Sequence, residues 1–220
     1  MIKMQDEKIR TKWIEWIRVI HKNVQDLLTS QQMYKSYLEI VKNNPEIQSP
    51  IDFHDWVRKN YASSVASHIR RELDMGSDVI SLMKLLSEIK EDPQCITKKW
   101  FESLYKGSTA EDYADHDFKT VAGENDIFDH NIAINDIEEL ERLGKHIKDY
   151  VTKRIAHHII KPLRKDPTHD DLEAFIKTYE SIVQKYVLLF TGSHYASLTP
   201  VWQYDWEEIF TKPWVKVKKF

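Results

Sequence analysis

The 220-residue chain carries 32 lysines and arginines against 35 aspartates and glutamates, a formal net charge of -3, which excludes nucleic-acid binding through a strong overall basic field. Only 5 glycines and 7 prolines argue against an all-β, turn-rich fold, while 41% hydrophobic and 30% charged residues suit a soluble helical domain. This length builds one well-buried core with appendages.

Apolar residues at Trp13, Trp16, Ile17, Ile20, Val24, Leu27 and Leu28 predict a first helix. A second run through Met33, Tyr34, Tyr37, Leu38 and Val41 follows, with Thr29 or Ser30 as its expected cap, and Asn43-Asn44-Pro45 stops it. Ser49-Pro50 opens a helix carrying Phe53, Trp56, Val57, Tyr61, Val65, Ile69 and Leu73 as far as Gly76. Ser77 is the expected cap of an intensely apolar helix through Leu82, Leu85, Leu86 and Ile89 that ends before Asp92-Pro93. Thr97 to Tyr105 is a shorter helical piece.

Residues 107–131 hold seven acidic residues and one lysine, Lys119, and read as a long acidic surface loop with at most a short helical turn. A long helix over about 135–160 comes next, and Thr168 with Asp171 forms a capping box for a helix running to Gly192. The tail, 193–220, concentrates Trp202, Tyr204, Trp206, Phe210 and Trp214. It either wraps back over the bundle or offers an interface or base-stacking surface. Every strong pattern has the helical period, so the fold class is all-α: a bundle over 1–192 with the tail packing on it. Trp16, Ile69, Leu82, Leu86, Ile147, Val151 and Ile155 are expected to be buried together.

The lone Cys95 allows no internal disulfide, and no stretch is long and apolar enough to span a bilayer. Trp13 to Ile20 is interrupted by Glu15 and Arg18, so no leader is read, and a cytoplasmic protein without a membrane partner is expected.

Chemistry concentrates in Lys153-Arg154-Ile155-Ala156-His157-His158. On a helical wheel the apolar stripe runs through Ile137, Leu140, Gly144, Ile147, Val151 and Ile155, and His158 falls near its middle. Tyr150, Arg154 and His157 share one edge, with His146 and Lys153 close by, a strip suited to a phosphate. His158 reads as a core histidine. Asp115-His116-Asp117 and Asp129-His130 read as solvated loop residues before metal ligands, and Arg70, Arg71 and Asp74 as structural ion pairs. No metal or other cofactor is expected.

The Trp-rich first helix, Ile69-Arg70-Arg71-x-x-Asp74, Ser81-Leu82-x-x-Leu85-Leu86, Lys153-x-x-Ala156-His157 and Asp205-Trp206-Glu207-x-x-Phe210-x-x-Pro213-Trp214 together resemble the HEPN superfamily of helical bundles, in particular its abortive-infection branch of the AbiU type. The resemblance implies a homodimer that targets RNA, a metal-independent ribonuclease toxin or phage-defence effector, with an antitoxin or other protein as a further partner. In that reading His157 is the acid or base, Arg154 or Lys153 clamps the phosphate, and Tyr150 and His146 border the RNA. An arginine clamps bidentately and a lysine as a point charge. The family's arginine, six residues before His157, is replaced by Val151, and Thr152 follows it. Two readings therefore stay open: a ribonuclease with a shifted cation, or a non-catalytic dimerisation or protein-interaction module with a degraded site.

Overall fold

The computed structural model describes residues 2–155 and 166–212, the side chains of Ile2, Lys3 and Arg154 excepted. In chain order the helices are α1 (Ile2–Asn43), α2 (Ile51–Glu72), α3 (Leu82–Glu91), α4 (Lys98–Tyr105), α5 (Ala114–Ala122), α6 (His130–Tyr150), α7 (His169–Thr191) and the short α8 (Glu208–Thr211). Among the described residues there is no strand, only an isolated bridge between Thr97 and Ile127. No described helix is long and apolar enough to cross a membrane.

The long helices pack antiparallel, as side-chain pairs at their two ends show. Trp13 of α1 meets Phe190 of α7 edge-on, while Gln31 and Lys35, 18 and 22 positions further along α1, both bond Glu173 near the start of α7. α1 and α2 are antiparallel in the same way, through Tyr34 with Tyr61 and Asn23 with Glu72. One continuous core joins Trp13, Ile17, Ile69, Leu86, Phe118, Ile147, Phe175 and Tyr186. Burying an aliphatic or aromatic side chain stabilises by about 1.5–3 kcal/mol, so this cluster is the main source of stability.

α1 is a single helix of 42 residues with no break at Thr29 or Ser30. The Ser30 hydroxyl donates to the Asp26 carbonyl, 2.9 Å away, so it is satisfied inside the helix instead of capping a new one. α3 starts at Leu82, five residues after Ser77. Ser81 is its cap, accepting from the Lys84 amide, while Lys84 Nζ donates to the carbonyls of Gly76, Ser77 and Val79 and holds that segment in a turn.

The acidic segment 107–131 is not a long loop. Ala114, Phe118, Val121 and Ala122, at i, i+4, i+7 and i+8, form a narrow apolar stripe that is buried in α5. Phe118 packs on Phe101 with ring centroids 5.5 Å apart. The carboxylates lie outside and are matched there: Asp115 bonds Lys98 and Lys119, and Asp117 accepts from the Tyr105 hydroxyl at 2.7 Å. The chain then pairs with the α3–α4 connection, Lys98 N to Asp126 O and Phe128 N to Ile96 O, and Phe128 is buried. Gly123 turns it with φ +94°, a conformation that side chains disfavour.

Two smaller expectations also change. Trp16 is only half-buried, its ring lying under Lys12 and Lys84. Asp74 makes a turn by accepting from the Gly76 amide, and Arg71 reaches Glu72 at 3.7 Å, so the Arg70, Arg71 and Asp74 group is not one ion-pair cluster. After Gly192 the chain doubles back along α7: the Tyr195 carbonyl accepts from Gln184, and Glu180 holds the Ser197 hydroxyl and the Leu198 amide.

Candidate functional site

The helix that carries the motif is positioned by a glycine. Gly144 faces α2 and α7 so closely that an added Cβ would lie 2.3 Å from Leu73 Cδ1 and 2.8 Å from Phe175 Cε2. This contact sets the rotation of α6 and turns Ala133, Leu140 and Ile147 into the core. Asp129 caps the start, its carboxylate accepting from the Asn131 amide, which explains why α6 begins at His130 and not near residue 135. Lys148 Nζ donates to the Leu73 carbonyl at 3.3 Å, tying α6 to the end of α2.

The α-helix ends at Tyr150 and continues as a π-helical turn, Val151–Ile155. Val151, where the family arginine is expected, is 4% exposed and belongs to the core. Ile155, four residues on, is 40% exposed, contrary to its expected burial. The wider turn breaks the four-residue repeat that would have stacked the two on one face.

Tyr150 is half-buried and packs against the core. His146 Nε2 lies 3.4 Å from Asp171 Oδ2. That carboxylate also receives the Thr168 amide and hydroxyl, each at 2.8 Å, and the Thr168 amide bond is the main reason its pKa is lowered. Lys153 Nζ lies 3.2 Å from Asp149 Oδ2. Lys153 and His146, the two basic residues of the strip whose side chains are described, are therefore each held by a different carboxylate. Both pairs are at the surface, where such contacts contribute about 0–1 kcal/mol, so an anionic ligand could displace them cheaply. The Arg154 backbone lies in the π turn, its side chain being outside the described structure. His157 and His158 lie outside the described residues.

Two polar clusters in the core were not signalled by the sequence. Asp136 takes both oxygens to Lys185 Nζ at 2.7 Å and accepts from the Tyr186 hydroxyl at 2.9 Å. Glu72, 1% exposed, accepts from Asn23 and from the Leu82 amide, and burial pushes its pKa up. Both carboxylates occupy helix positions that pattern alone assigns to surface charge. Their partners come from other helices, which explains why they could not be read locally. Among the described residues no three His, Cys, Asp or Glu side chains are grouped to hold a metal ion.

No curated protein and no solved structure matches the chain. A family model does, that of the AbiU2 HEPN proteins, over residues 10–209. The match runs from α1 through the π turn into α8, and the chain belongs to the AbiU2 family of HEPN proteins.

Proposed function

We propose that this protein is an abortive-infection HEPN module that acts through binding and does not cut RNA. The observation that carries this reading is Val151. Metal-free cleavage needs a cation beside the acid–base group to take up charge on the phosphorane. A valine that is 4% exposed and packed in the core supplies none, and it leaves no open position there for an arginine to reach a phosphate. Lys153 and His146 are paired with Asp149 and Asp171, which further supports a strip without a preformed phosphate clamp.

A second reading, a metal-independent ribonuclease with Lys153 or Arg154 as the shifted cation and His157 as acid or base, is favoured by the π turn at Val151–Ile155. Such turns inside helices recur at functional sites. The test is incubation of the purified protein with single-stranded RNA in the presence of a chelator, read on a denaturing gel. Intact RNA is the expected result. Cleavage by the wild type that is lost in His157→Ala, with unchanged thermal stability, would overturn the binding reading in favour of the nuclease.

A further inference from the structure

A recess of about 340 Å³ lies between the C-terminal part of α1, the N-terminal part of α2 and the tail, at the small end of the ~300–1,000 Å³ typical of ligand sites. Tyr34, Tyr37, Trp56, Tyr61, Trp206 and Phe210 stand in its walls, and no lysine, arginine, aspartate or glutamate does. We infer that the recess is an aromatic cage for a small quaternary ammonium ion, a trimethylammonium compound taken up from solution.

The composition of the walls selects this ligand. A phosphate or carboxylate would find no cation there, and a metal ion or primary ammonium would lose its water with no wall carboxylate to replace it. A quaternary ammonium carries methyl groups where other amines carry N–H donors, so it asks for no acceptor and gives up little hydration. Its charge is drawn to aromatic faces, which hold the negative part of the ring quadrupole. The rings also stand at different angles. Tyr34 stacks on Tyr61 with centroids 3.9 Å apart, Trp206 and Phe210 meet at 79°, and Trp56 is backed by Phe53 at 5.9 Å. Walls set at an angle suit a compact round head better than a flat base.

The charges around the recess favour a cation as well. Segment 205–211, which brings Trp206 and Phe210, holds Asp205, Glu207 and Glu208 and no lysine or arginine; Glu208 is paired with Lys212. On α2 the cations Arg58 and Lys59 are both held by Asp55. Behind Tyr61 lies Glu173, bonded by Lys35 and Gln31. Burial first, and then the negative charge of Glu173, push the Tyr61 hydroxyl's pKa up, so that carboxylate's field reaches the wall. The inference stands whether or not the α6 strip cuts RNA.

Calorimetric titration of the full chain with choline chloride, at ionic strength held constant with sodium chloride, tests it. Saturable binding at a single site is expected. The neutral isostere, in which a tert-butyl group replaces trimethylammonium, should bind roughly 5- to 30-fold more weakly, the factor equivalent to a cation–π gain of about 1–2 kcal/mol. Trp56→Leu keeps the wall apolar but removes a ring face, so it should bring the two ligands to about the same affinity with an unchanged circular dichroism spectrum. Trp206→Leu serves the same purpose if the first variant fails to fold. Absence of saturable choline binding overturns the inference, as does an isostere that binds as tightly as choline or a preference for choline that survives in a folded variant. So does a response to phosphatidylcholine vesicles or to single-stranded RNA that requires Trp56 when free choline gives none, because the recess then takes that occupant.

Discussion

α6 is tied to its surroundings by carboxylates at both ends, and the two ends are built to different standards. Near its start Asp136 is buried and its carboxylate is held by Lys185, whose side chain is 26% exposed, and by the buried Tyr186 hydroxyl. Near its end His146 with Asp171, whose carboxylate also receives Thr168, and Lys153 with Asp149 are contacts open to water. Breaking a buried pair strands the remaining charge in a poor solvent, whereas a surface pair exchanges its partner for water at little cost. The first end fixes where α6 lies. The second holds Lys153 and His146 only by surface contacts, while Val151 stays in the core.

The sharpest way to break this contrast is to restore the family arginine. Val151→Arg should lose about 3–5 kcal/mol in urea unfolding, because it places an unpaired charge in the core. A loss below about 1 kcal/mol, accompanied by new RNA cleavage, would mean that the position opens to the surface. Asp136→Ala should cost about 3 kcal/mol by leaving Lys185 and Tyr186 without their acceptor, and Asp149→Ala at the other end at most about 0.5 kcal/mol. Equal costs at the two ends would erase the distinction. Gly144→Ala should destabilise by about 1–3 kcal/mol through overpacking against Leu73 and Phe175. An unchanged unfolding midpoint would show that α6 is free to shift.

The smallest effect concerns pH and Glu72, whose folded pKa lies above its ordinary value of 4.5 because it is buried. The folded state then binds this proton more tightly than the unfolded chain does. The contribution to stability is complete below 4.5 and declines as pH rises through the folded value. Glu72→Gln should flatten that part of the profile. If unfolding measured from pH 4 to 7 gave parallel curves for the two proteins, Glu72 would not be the group responsible.

What could be read from the chain follows how local each feature is. The Thr168 and Asp171 capping box, the stop at Asn43-Asn44-Pro45 and the apolar stripe through Ile147 and Val151 rest on neighbours in sequence, and all are present. α5 was hidden because its buried stripe includes two alanines and is diluted by acids whose partner Lys98 comes from another element. The break at Ser81 depends on Lys84 reaching back to three carbonyls, a tertiary detail without a pattern. At the candidate site Asp149 could be found as the i-4 neighbour of Lys153, but Asp171 arrives from α7. The exposure of Ile155 depends on the π turn, for which the sequence offers no periodic sign.

That turn is, in effect, a one-residue insertion absorbed without a loop. Hydrogen bonds that span five residues in place of four delay the phase of the helix, and Ile155 records the delay by standing outward while Val151 stands inward. Removing one residue, Thr152 for instance, would let the ordinary phase resume and return an apolar side chain to the stripe. Relatives could thus differ by a single residue at this point with α6 itself unchanged. An alignment that imposed one register on them would pair inward positions with outward ones, and a buried valine could be matched to a surface arginine that occupies a different place in space.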